Sequence, residues 1–141
     1  MGANLGLLCN IAQVVINYMS TNVLMGSEEG ISMTTTQVQT IHWTGNSKNI
    51  YKYWIHPIGW KFKGGPGNYA FAKETKNGTF VPIYFGETGD LSDRFDNHHK
   101  KQCILQHGAT HIHVHTSSAV ASIRRAEESD LNDKWNPVCK G

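Results

Sequence analysis

The dipeptide Asn77-Gly78 lies between two apolar, β-rich runs and constrains this chain more than any other feature. Asn-Gly suits the left-handed backbone of a tight hairpin turn, so residues 68–74 and 79–85 are predicted to pair as antiparallel strands. Tyr69 and Tyr84 fall on these strands at offsets that bring both rings to one face. The pattern extends in both directions. Residues 37–43 alternate, Gly45-Asn46-Ser47 makes a turn, and residues 49–56 form an aromatic strand carrying Tyr51, Tyr53 and Trp54. A Gly/Pro-rich loop covers residues 57–67. A helix is expected over 91–101 with Asp90 at its cap, a second short helix over 102–107, and a strand over 110–115. Ser117 or Ser118 caps a long helix through Ala126 to about Trp135, ended by Asn136-Pro137. This order predicts an α+β fold: a small, mainly antiparallel sheet of three to four strands flanked by the 91–101 and 118–135 helices.

The first 35 residues read differently. Leu5, Leu8, Cys9, Ala12, Ile16 and Met19 recur at helical spacing, and Asn4 can cap them. The run is short and interrupted by Asn10, Gln13 and Asn17, which excludes a bilayer span. No basic side chain precedes Lys48, so a secretory signal is not expected either. Gly26-Ser27-Glu28-Glu29-Gly30 reads as a linker, and Met33 can serve as an alternative start. Residues 1–35 are therefore expected to be a helical extension and linker, outside a 36–141 domain. A chain of 141 residues has room for one such domain and an appendage.

Charge narrows the partner class. The net charge of +2 is too small for histone-like binding by bulk charge. The distribution is uneven, however: residues 48–76 hold six Lys and one Glu, or +5. Lys61 and Lys63 in the 57–67 loop, with Lys100 and Lys140, are candidate phosphate contacts. Three cysteines, an odd number with no CxxC pair, argue against a disulfide scaffold and fit a reducing cytoplasm.

Chemistry concentrates after Gly67. Two phenols (Tyr69, Tyr84), a guanidinium (Arg94), an imidazole (His98) and a carboxylate (Glu128) suffice for metal-assisted phosphodiester hydrolysis. The carboxylate holds a hard divalent cation. The cation and Arg94 neutralise charge in the transition state. A phenol or imidazole accepts the proton of water. Arg94 and His98, four apart, share a face on the expected helix.

Gly67-Asn68-Tyr69, followed after fourteen residues by Tyr84-Phe85-Gly86, resembles the two-part signature of the GIY-YIG nuclease superfamily. The run from Tyr84 to His98 is similar to that family's "YIG-x-T-x-x-L-x-x-R-x-x-x-H". Glu128-x-x-Leu131 with Pro137 resembles its third motif, and the 108–135 stretch looks like small single-domain bacterial members. The likeness covers about residues 67–141 and extends more weakly back through the strands from about residue 36. It implies a DNA endonuclease in which Tyr69 activates or positions water, Tyr84 bonds near the scissile phosphate and Arg94 binds that phosphate. It further implies that His98 helps Tyr69 lose its proton and that Glu128 is the protein ligand of one Mg²⁺ or Mn²⁺. Glu127 falls out of step with Leu131 and Pro137 and is the second choice. No separate DNA-reading module is visible, so sequence specificity is expected to need a partner protein.

The sequence departs from the family pattern in places. The spacer between the tyrosine motifs is long. Asn68 and Phe85 replace apolar middle positions, and a buried amide at 68 needs partners. Asn132 follows Leu131 where an apolar residue is expected, and Lys140 stands where an Asn is expected. These changes keep open a second reading, a catalytically weak nucleic-acid-binding module. A third is a zinc-binding structural domain. His111, His113 and His115 alternate along one strand and so share a side, and His98, His99, His107, Cys103 and Cys139 are near in sequence or at the chain's end. No recognised zinc spacing is present. The histidine row is expected to be exposed beside the active face, and Cys103 and Cys139 to be small core residues.

Overall fold

The computed structural model describes residues 14–17, 38–93 and 95–140. Six strands are present among them: β1 (Val14–Asn17), β2 (Val38–Thr44), β3 (Ile50–Pro57), β4 (Gly67–Glu74), β5 (Phe80–Thr88) and β6 (His111–Thr116). They form one antiparallel sheet in the order β1-β2-β3-β6-β4-β5. Two α-helices accompany it, α1 (Lys101–Gln106) and α2 (Ala121–Trp135). The α+β class holds, but the sheet has more than the three to four strands expected. Part of the excess lies at β1, inside the segment read as helical. Val14-Val15-Ile16 is a β-branched run, which favours a strand over a helix, and β1 pairs with β2. The rest of the expected helix lies outside the described residues. No helix among the described residues is long and apolar enough to cross a membrane.

The expected 91–101 helix is a second correction. Leu91–Asp93 forms one 3₁₀ turn, residues 95–100 run through turns, and α-helix begins only at Lys101. Asp, Asn and Ser side chains compete for backbone hydrogen bonds. Here Ser92 N–H donates to Asp90 Oδ1 at 2.9 Å, and Lys100 N–H donates to His98 Nδ1 at 3.0 Å.

Strand alternation divides the side chains between two faces. One cluster gathers Ile41, Trp43, Tyr53, Ile55, Ala70, Ala72, Phe80, Phe85 and Leu131, beneath α2. The other gathers Tyr69, Phe71, Tyr84, Leu91, Ile104, Ile112, Val114 and Cys139, beneath α1 and the 91–100 turns. Phe80 and Phe85 are five residues apart, so a regular strand would send them to opposite faces. The register shift between Phe71 and Ala72 leaves Ile83 without a partner on β4. That bulge lets both phenylalanines join the α2 cluster and sends Tyr84 to the other face beside Tyr69.

Candidate functional site

Tyr69, on β4, lies opposite Gly86 on β5. Its ring stacks against Tyr84 with centroids 6.0 Å apart, and both side chains are buried. Gly86 makes the arrangement possible. A Cβ there would lie 2.5 Å from Tyr69 Cζ, 2.6 Å from its hydroxyl and 2.7 Å from Tyr84 Cε1. The last residue of Tyr84-Phe85-Gly86 is thus the gap in which two phenols meet.

His98 closes this pair from the turn before α1. Its Nε2 lies 2.8 Å from the Tyr69 hydroxyl, and its ring packs edge-on to Tyr84 at 4.7 Å. Because His98 Nδ1 accepts the Lys100 N–H, the neutral ring carries its proton on Nε2. His98 therefore donates to the Tyr69 oxygen, which favours the phenolate over the phenol. Arg94 lies outside the described residues.

Glu128 comes from α2, which packs on the opposite face of the sheet and contacts it mainly along β5. Glu87 on the edge strand β5 pairs with Asn68, whose side chain meets α2, so Glu87 belongs to that same α2 face. There Arg124 Nε donates to Glu87 Oε2 at 2.9 Å, and Arg125 reaches Glu87 Oε1 at 3.8 Å. With both arginines on Glu87, Glu128 has no salt bridge among the described residues. It is half-buried, and its carboxyl is held above the ordinary range first by burial and then by the charge of Glu87. A half-desolvated carboxylate facing a second carboxylate gains from a cation, so the donor chemistry fits a hard divalent metal. Glu127 is otherwise engaged: it accepts hydrogen bonds from Tyr53 Oη at 2.7 Å and His115 Nδ1 at 3.0 Å.

Asn68 has its partners. The fully buried amide donates to the Arg124 carbonyl at 2.9 Å and accepts from Ser117 Oγ at 2.6 Å. It pins the start of α2 to β4, and with it the register of Glu128 against β5.

The lysines differ. Lys61 is exposed and bridges Asp96 at 3.2 Å, while Lys63 and Lys140 are exposed and Lys100 is half-buried. A further surface adjoins the tyrosine face. Trp54 pairs with Val114 across β3 and β6, and Val114 pairs with Tyr69. Lys52, Trp54, His56, Val114, His115 and Thr116 line an open groove there, with the Lys52 ammonium 5.5 Å from the Trp54 ring centre. Trp60 stacks on His56 and is itself 54% exposed. Sequence reasoning missed this strip. The alternation of Lys52, Trp54 and His56 on one strand was the available signal.

The histidine row is corrected. His111, His113 and His115 do share a face, but it is the α2 face and not the one that carries Tyr69. His113 is fully buried, accepts the Trp43 Nε1–H at 3.2 Å, and is held down at a pKa of about 3 by burial and then by His111 and His56. The middle of β6, Ile112, His113 and Val114, is buried on both faces of the sheet. Cys139 lies in the core with Cys103 packed against it, as expected, but the reading against a disulfide is corrected: the two are bonded to each other. No protein-family model, curated protein or solved structure matches the chain.

Proposed function

We propose that the chain is a divalent-metal-dependent endonuclease of the GIY-YIG type that hydrolyses DNA phosphodiester bonds. The observation that carries this reading is the Tyr69–His98 contact of 2.8 Å beside the stacked Tyr84. Free tyrosine loses its proton near pH 10, so a phenol acting as base at neutral pH needs a neighbour that stabilises its anion. The His98 Nε2–H is that neighbour. Tyr69 accepts the proton of the attacking water, Tyr84 orients the phosphate from the same face, and Arg94 stabilises the developing charge. Glu128 would hold Mg²⁺ or Mn²⁺, which supplies charge neutralisation at the scissile phosphate. Lys61, Lys63, Lys100 and Lys140 hold flanking phosphates, and Trp54 with Lys52 offers a stacking surface for a base. A cytoplasmic setting goes with this substrate.

The exposed Trp54–Lys52 strip also favours the second reading, a DNA-binding module with little turnover. Nicking of supercoiled plasmid, with and without Mg²⁺, separates the two. Mg²⁺-dependent nicking that Tyr69→Phe and Glu128→Ala both abolish supports the nuclease. Retention of DNA without nicking under any metal condition leaves only the binding module.

A further inference from the structure

Cys103 and His107 stand four residues apart, at the start of α1 and at its C-cap, so they share a helical face. Cys139 comes from the C-terminal tail, held on β5 by its N–H donating to the Ile83 carbonyl at 3.0 Å. The tail and α1 thus bring two sulfurs and an imidazole together from positions 36 residues apart. His107 Nδ1 lies 3.7 Å from each sulfur. The ligand atoms of the three residues all lie within 4.8 Å of one another. The cluster is graded in exposure: Cys139 is buried, Cys103 half-buried and His107 exposed.

We propose that Cys103, His107 and Cys139 form a zinc site when the disulfide is reduced. The site is independent of the Glu128 carboxylate. A tetrahedral zinc, with Zn–S of about 2.3 Å and Zn–N of about 2.0 Å, sets nitrogen and sulfur about 3.5 Å apart and the two sulfurs about 3.8 Å apart. The nitrogen–sulfur distances already match. On reduction the sulfurs, no longer bonded to each other, are free to move apart by side-chain rotation to the spacing the metal needs.

The steps balance. A thiol reductant such as glutathione delivers two electrons and two protons to the disulfide and becomes a disulfide itself. Zinc binding then releases the two cysteine thiol protons. In the disulfide form His107 Nδ1–H donates to the Cys103 carbonyl at 2.9 Å. Ligation through Nδ1 moves that proton to Nε2, which faces water. Three protein ligands leave the fourth position to a water molecule. Two thiolates and an imidazole are soft to borderline donors, so the site prefers zinc to the hard cations suited to Glu128. Disulfides are rare in the cytosol, and there the reduced, metal-binding form prevails. The tail is tethered to α1 either way, by the disulfide or by the metal.

The test uses the full chain, oxidised with diamide or reduced with a phosphine, titrated with Zn²⁺ against a chromogenic chelator. The reduced chain is expected to bind one Zn²⁺ and the oxidised chain none. His107→Ala is expected to weaken binding by about tenfold or more, whereas Glu128→Ala leaves it unchanged. Co²⁺ in the reduced chain should give a thiolate-to-metal charge-transfer band that Cys139→Ser loses. Should Cys139→Ser fail to fold, alkylation of the wild-type chain replaces it: zinc must protect both Cys103 and Cys139 from iodoacetamide, as read by mass spectrometry. Equal zinc binding by oxidised and reduced chains, or alkylation of both cysteines unaffected by zinc, overturns the proposal.

Discussion

The Tyr69 hydroxyl lies 2.8 Å from His98 Nε2, while His98 Nδ1 accepts the Lys100 N–H. The backbone thereby fixes the tautomer, and the imidazole acts on the phenol as a donor. Removing that donor makes the phenolate harder to form. His98→Ala is expected to move the acid limb of the kcat/KM–pH profile to higher pH by about one to two units, the worth of one hydrogen bond to a charged oxygen. His98→Gln keeps an N–H and should recover part of the shift. A profile that falls in amplitude without moving would show that His98 only packs against the tyrosines.

Gly86 offers a sharper steric test. Its missing Cβ is the space that Tyr69 Cζ and Tyr84 Cε1 approach to within 2.7 Å or less. Gly86→Ala must push one ring aside. Overpacking of this kind costs about 1–3 kcal/mol. Displacing a catalytic group by about 1 Å can cost about a hundredfold in rate. Nicking should therefore fall far more than the thermal midpoint, measured on the same preparation. An unchanged rate would mean that the two phenols do not act together.

Glu128 links metal binding to pH. Burial and the neighbouring Glu87 charge raise its pKa, so its ionised form destabilises the fold. That raised pKa gives a stabilising contribution present below the unfolded value and lost as pH rises through the folded value. Glu128→Gln should therefore raise the thermal midpoint at pH 7, a gain that disappears near pH 4, and should abolish Mg²⁺-dependent nicking. In the wild-type chain Mg²⁺ affinity should decline as pH falls through the same raised pKa, since protons compete for the carboxylate. Thermal melts across pH, with and without Mg²⁺, read both effects. A variant less stable than wild type at pH 7 would show that the carboxylate holds the fold together.

Much of the sheet was legible because its signals are local. Asn77-Gly78 fixed the β4–β5 hairpin, but regular alternation from that turn would set Tyr84 opposite Ala70; the bulge at Ile83 brings it to the face of Tyr69. Regular alternation alone would not have kept Phe80 and Phe85 together; that depends on the bulge at Ile83. The 91–101 segment misled because Leu91 and Phe95 are spaced like a helix, while Asp90 and His98 take backbone N–H groups for themselves. Long-range partners left no local trace. Cys103 and Cys139 stand 36 positions apart, a spacing that matches no recognised disulfide or zinc motif. The groove at Trp54 depends on β6 inserting between β3 and β4. The His111–His113–His115 alternation announced a shared face but not which face, because that is set by where α2 packs.

His113 ties the stability of the fold to pH. Its ring is fully buried, Nδ1 accepts the Trp43 indole N–H, and Nε2 has no partner among the described residues. Burial and the nearby His111 and His56 depress its pKa to about 3. The unfolded chain binds a proton at this residue near pH 6.5 and the folded chain does not, so stability falls as pH drops from about 6.5 toward 3. The slope from this residue alone approaches about 1.4 kcal/mol per pH unit in that window. His113→Gln keeps an acceptor for Trp43 but cannot titrate. Urea unfolding at pH 7, 6, 5 and 4 should show the wild-type chain losing stability more steeply than the variant. Parallel curves would mean that the buried imidazole is protonated in the fold. The unpartnered Nε2 would then have to find an acceptor by rearranging the core around Phe80, whose ring lies edge-on to it at 4.7 Å.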